Sequence, residues 1–217
     1  MLKAVIFDMD GVLIDSEPFH LIINKRIFDE LGINVSEEEY QTFIGTTFEY
    51  MWSSLKEKYG LPQKVSELVH MQANGIVEYL KNEKVKAIKG VIDLLSLIKK
   101  ENIKIGIASS SPKEVIELVI NKLGISNYFR AIVSGEDFEK GKPAPDIFLE
   151  AARLLDTEPM NCVVVEDSEK GVKAAKAAGM KCVGFRNHNT GNQDLSRADL
   201  IVDEYNSLKI STLRDLF

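Results

Sequence analysis

Cysteine is scarce in this chain of 217 residues: only Cys162 and Cys182 are present. Both sit in apolar stretches, so they read as buried, reduced thiols rather than a disulfide staple, and the expected compartment is the cytoplasm. No apolar run approaches the roughly 18 residues that a membrane helix needs. The first strand starts close to Met1, so no signal peptide is expected. Positive charge is also short. A formal net charge of −6 and an isoelectric point near 5.3 argue against a nucleic-acid or anionic-membrane partner. No Gly-x-Gly-x-x-Gly occurs. "GEDFEKGKP" has five residues between its glycines and a proline where a P-loop carries serine or threonine, so a nucleotide cradle is not expected.

What the chain does have is ordinary globular material: 45% hydrophobic and 28% charged residues, enough apolar surface for a sizeable core. Short apolar runs at 3–8, 103–109, 131–134, 162–166, 181–185 and 199–203 read as buried strands separated by amphipathic helices. That alternation predicts an α/β fold with a doubly wound, parallel, Rossmann-like sheet. Ser111-Pro112-Lys113-Glu114 reads as a capped helix start, with proline at the first helical position. Gly124 and Gly179 read as glycines just past helix ends.

One interval breaks the rhythm. About ninety residues separate the first strand from the second, where a helical crossover needs about a dozen. Ile23, Ile27 and Leu31 form a helical stripe, Ser36 opens another capping box, Gly32 and Gly60 mark helix ends, and 65–82 reads as a helix. The division expected is a catalytic core of 1–14 and 86–217, with an all-helical cap at 15–85. "KNEKVKAIKG" (81–90) is a polar return linker and hinge. A monomer is expected.

The first strand of "VIFDMDGVLIDSEPFH" ends in acids. Open α/β sheets bind ligands outside the carboxyl ends of their strands. Asp8 lies at that edge, and Asp10, two residues on, points to the same side in extended chain. Two carboxylates this close either sit solvated in a turn or divide labour, one ionised to attack and one holding a proton to pass on. "IGIASSSP" puts Ser109, Ser110 and Ser111 at the end of the second strand, beside a helix start able to hold phosphate or simply to be capped. "VVVEDS" puts Glu166 and Asp167 at a later strand end, a pair suited to Mg²⁺ and its hard oxygen ligands. Lys142, fixed before Pro143 in "GKPAPD", is a cation for phosphate and carboxylate, whereas Lys140 reads as solvated.

With Asp8-x-Asp10, Ser109, Lys142-Pro143 and Glu166-Asp167 in this order, the chain resembles the haloacid-dehalogenase superfamily over its whole length. It looks most like the helical-cap branch that includes β-phosphoglucomutases and sugar-phosphate phosphatases; "DMDGVLIDSE" and "KPAPDIF" carry the likeness. The resemblance implies that Asp8 is the nucleophile and forms an aspartyl phosphate. Asp10 is then general acid and base, Ser109 holds phosphoryl oxygens, and Lys142 bridges them to Asp8. Asp8, the Asp10 carbonyl, Glu166 and Asp167 hold Mg²⁺, for which Mn²⁺ is an acceptable substitute. His20 on the first cap helix, Gly45, Thr46 and Thr47 in the cap loop "IGTT", and Ser110 are implied substrate contacts. The mutases carry an arginine three residues after the loop glycine, where this chain has Phe48, and their cap lysine has no clear counterpart near "HMQANG". Stretch 36–55 holds no lysine or arginine. The function expected is therefore a Mg²⁺-dependent phosphatase of small phosphorylated sugars, with a β-phosphoglucomutase as the alternative.

Overall fold

The computed structural model describes residues 1–217. All six expected strands are present: β1 (Ala4–Phe7), β2 (Lys104–Ser109), β3 (Ala131–Ser134), β4 (Cys162–Glu166), β5 (Lys181–Phe185) and β6 (Leu200–Val202). They form one parallel sheet in the order β3-β2-β1-β4-β5-β6. Buried on both faces, these strands read as continuous apolar runs rather than alternating ones. The alternation appears instead in which side each residue packs. Val5 and Phe7 of β1 join the larger apolar cluster, whereas Ala4 and Ile6 join the smaller one on the opposite face.

Four helices, α1 (Glu17–Leu31), α2 (Glu37–Gln41), α3 (Phe48–Tyr59) and α4 (Val65–Asn82), fill the interval between β1 and β2. Their ends follow the expected signals. Ser36 Oγ accepts the Glu39 N–H at 3.2 Å, and Gly32 and Gly60 close α1 and α3 in the left-handed conformation that glycine adopts without strain. Trp52 of α3 is fully buried, its ring edge-on to Phe28 at 5.8 Å. Apolar side chains of these helices run without a break into the larger cluster of the sheet, so the insert is packed onto the core rather than hung from it. The two chain crossings between insert and sheet lie side by side: Ile88 N–H donates to the Leu13 carbonyl at 3.0 Å, and Ile14 bridges Ala87.

The remaining helices, α5 (Val91–Lys100), α6 (Lys113–Lys122), α7 (Asp146–Leu154), α8 (Glu169–Ala177) and α9 (Ile210–Arg214), connect or follow the later strands. Strand order reverses between β1 and β4, and the crevice outside their carboxyl ends is where such a sheet takes its ligand. Both cysteines are buried and unpaired. No helix is long and apolar enough to cross a membrane.

Candidate active site

The carboxyl ends of β1, β2 and β4 bring Asp8, Ser109, Glu166 and Asp167 together, and the loop after β3 delivers Lys142 into their midst. Lys142 is buried, with its Nζ 2.5 Å from Asp8 Oδ1, 2.7 Å from Glu166 Oε1 and 3.2 Å from the Ala108 carbonyl. The same ammonium lies 5.0 Å over the Phe148 ring. Burial alone would strip its proton, but the two carboxylates hold it firmly charged, well above the usual lysine range. Lys140, as expected, is exposed. Glu166 has partners on both oxygens, since Ser168 donates to Oε2 from its N–H and its hydroxyl at 2.8 and 2.9 Å.

Asp10 sits in a different setting. Ser16 Oγ donates to its Oδ1 at 2.6 Å, and His20 Nε2 lies 3.2 Å from the same oxygen. Ser111 and Ser109 hydroxyls donate to Oδ2 at 2.7 and 3.3 Å. His20 is itself buried, stacked on Phe19 and edge-on to Phe48. Asp15, the third acid, accepts hydrogen bonds from Asn189 Nδ2 at 2.6 Å and Asn187 Nδ2 at 3.3 Å.

These surroundings order the carboxyls in a way the sequence reading did not anticipate. Burial opposes ionisation of Asp10, yet His20, Ser16 and Ser111 together hold it down at about 2. Burial pushes Asp8 up to about 8, with Glu166 and Asp10 adding to the rise and Lys142 offsetting only part of it. His20 is raised despite its burial because it bonds Asp10. The bonds from His20, Ser16 and Ser111 therefore favour the ionised form of Asp10, and Asp8 is the carboxyl short of positive charge. Burial, Glu166 and Asp8 likewise push Asp167 well above its ordinary range.

The residues present fit a hard divalent cation. Asp167 Oδ2 is buried and has no hydrogen-bond partner. Gly11 leaves room for it: a Cβ there would lie 1.8 Å from that oxygen, and the φ of +72° suits glycine in any case. No three His, Cys, Asp or Glu side chains form a ready-made metal cluster. Two carboxylates supplemented by backbone oxygen and water are the donor set that Mg²⁺ accepts.

The cap loop at 44–47 is seated directly on the core. Ser110 Oγ donates to the Gly45 carbonyl at 3.1 Å, and a Cβ at Gly45 would meet Ser168 Oγ at 2.7 Å. Thr46 and Thr47 line the pocket, but their hydroxyls serve the loop itself, Thr46 donating to the Phe43 carbonyl and Thr47 accepting the Tyr50 N–H to start α3. Ser111 corrects another expectation. It does not cap α6, whose preceding residue is Pro112; its hydroxyl turns to the charged acceptor Asp10 instead. The structure adds Ser16, Glu17, Asn24, Tyr40 and Gln72, which the sequence reading missed. Glu17 and Asn24 were within reach, since they stand three and four residues from His20 on the same face of α1. Burial lifts Glu17 to about 7.

Lys142→Met should destabilise the fold as well as the chemistry. It leaves Asp8 and Glu166 buried without their cation, a loss of about 3 kcal/mol or more. Urea unfolding should show a midpoint lowered by about 1 M or more, and Glu166→Gln in the same chain should recover part of the loss. An unchanged midpoint in the single variant would mean that the ion pair is not what holds these strand ends together.

The family described as haloacid dehalogenase-like hydrolase matches residues 5–185. The chain is 35% identical over 226 residues to a β-phosphoglucomutase of Bacillus subtilis, covering 99% of this chain and 95% of that one. It is 32% identical over 194 residues to a phosphorylated carbohydrates phosphatase of Thermotoga maritima, covering 83% of each. A crystal structure of β-phosphoglucomutase from Clostridium difficile aligns with a TM-score of 0.87 at 28% identity, covering 100% of this chain and 97% of that one.

Proposed function

The chain belongs to the haloacid dehalogenase-like hydrolases, and on that premise we propose that it is a Mg²⁺-dependent phosphatase of small phosphorylated carbohydrates. Asp8 attacks phosphorus and the sugar oxygen leaves, taking a proton that Asp10 delivers. Water then attacks the aspartyl phosphate while Asp10 removes its proton, which returns the enzyme to its starting state. For each delivery Asp10 takes up a proton through its hydrogen bond with His20 and moves out of its bonds to Ser16 and Ser111. Lys142 and Ser109 hold the transferring oxygens, and Ser110 steadies the cap loop beside them. Asp8, Asp167 and the Asp10 carbonyl would hold the metal, with Glu166 completing the acidic ring behind Lys142. The cation would supply the charge that lets a carboxylate approach a phosphate dianion.

One observation carries the choice of hydrolysis. The cap side of the pocket is lined by Glu17, His20, Asn24, Tyr40, Phe43, Phe48, Met51, Gln72 and the 44–47 loop, with no lysine or arginine among them. A mutase must grip the distal phosphate of a bisphosphate, for which a fixed arginine is the best tool, and Phe48 is buried where the mutases carry theirs. The mutase reading draws its support from His20 beside Asp10 and from the Bacillus subtilis relative. The two separate on incubation with β-glucose 1-phosphate, Mg²⁺ and a trace of glucose 1,6-bisphosphate. Free phosphate should form faster than glucose 6-phosphate; the reverse order would establish a mutase.

A further inference from the structure

On the cap side of the pocket, three neutral polar side chains are tied to the protein at one end only. Asn24 is buried on α1, one turn beyond His20. Its Nδ2 donates to Tyr40 Oη at 3.1 Å, while its Oδ1 is buried with no partner. Exchanging the two amide atoms would still leave one of them without a partner. A buried amide atom in that condition is costly unless a ligand or an ordered water meets it. Gln72 on α4 accepts the Trp52 indole N–H on its Oε1 at 2.8 Å. That bond fixes the amide and leaves Nε2 as a donor without a protein partner at the pocket wall. Tyr40 Oη accepts the hydrogen bond from Asn24 Nδ2 and has no protein acceptor for its own O–H.

We propose that Asn24, Tyr40 and Gln72 form a hydroxyl-reading site that selects polyol leaving groups, a specificity that rests on the phosphatase reading above. The three groups together ask for a ligand atom that both donates and accepts. A hydroxyl does both: it donates to Asn24 Oδ1 and accepts from Gln72 Nε2 or Tyr40 Oη. A second phosphate offers acceptors only. It would leave Asn24 Oδ1 facing an anion and would approach Glu17, the cap's only acid on the pocket wall. An aromatic or alkyl leaving group would leave all three unpaired. A site built to bond a hydroxyl rejects the analogue that lacks it.

The test compares kcat/KM for sorbitol 6-phosphate with that for p-nitrophenyl phosphate, both with Mg²⁺, in the wild type and in Asn24→Leu, Gln72→Leu and Tyr40→Phe. The ratio of polyol to aryl ester should fall about tenfold in each variant, with the change in the KM of the polyol ester. Tyr40→Phe removes a single oxygen and keeps the ring, so it carries the test even if the amide variants fold poorly. A ratio that stays constant overturns the inference, whether both activities are retained or both fall together, and leaves the phosphatase reading standing. Phosphate release from neither ester by the wild type overturns that reading and this inference with it.

Discussion

Asp8→Asn should abolish phosphate release while raising the stability of the metal-free protein. The amide cannot attack phosphorus, so turnover should fall by at least about four orders of magnitude. The stability effect has the opposite sign for an electrostatic reason. Asp8 shares a buried site with Glu166, Asp10 and Asp167, and one lysine offsets only part of that charge. Its carboxyl is raised from 3.8 to about 8. A carboxyl raised on folding supports the fold below its unfolded value and loses that support as pH climbs through the folded one. Metal-free wild type should therefore lose stability between about pH 4 and pH 8 relative to Asp8→Asn, and added Mg²⁺ should close the gap. Thermal melts across that range, with and without EDTA, check the sign. A folded Asp8→Asn protein that still releases phosphate would remove Asp8 from the role of nucleophile.

Removal of divalent metal should be nearly as severe. The cation is asked for several kcal/mol of charge stabilisation, about three orders of magnitude in rate, and nothing else in the pocket replaces it, since Lys142 is already committed to Asp8 and Glu166. Excess EDTA should silence the enzyme and Mg²⁺ should restore it. Asp167→Ala should move the Mg²⁺ activation midpoint upward by about tenfold or more. It should also weaken the rise in melting temperature that Mg²⁺ gives the wild type, a readout independent of turnover. Undiminished activity in excess EDTA would place the protein in a different chemical class.

The sheet was legible in the amino-acid order because parallel strands buried on both faces leave unbroken apolar runs, and their carboxyl ends show as an abrupt switch to acids and serines. Asp8, Glu166 and Asp167 are all found this way, and Lys142 follows because proline fixes its loop. The helical insert announced itself by length and by its glycine ends. Side chains that converge from separate helices were harder to see. Tyr40 comes from α2 and Gln72 from α4, and only the packing of those helices brings them into one pocket with Asn24. Ser111 misled for a different reason: the same hydroxyl suits a helix cap and a carboxylate, and the choice depends on where Asp10 ends up. The order of the two aspartates' proton affinities was hidden likewise. It turns on His20 and Ser16, which reach Asp10 through the path of the cap rather than through the motif itself.

Trp52 is the only tryptophan in the chain, so the protein carries one indole fluorophore. It is fully shielded from solvent, and its N–H ends on Gln72, which also forms part of the pocket wall. An occupant that draws on the Gln72 amide alters the hydrogen bond at the indole ring, and emission colour and intensity report on that bond. Occupancy of the pocket should therefore be readable as light, without label and without turnover, in the Asp8→Asn protein as well as in the wild type.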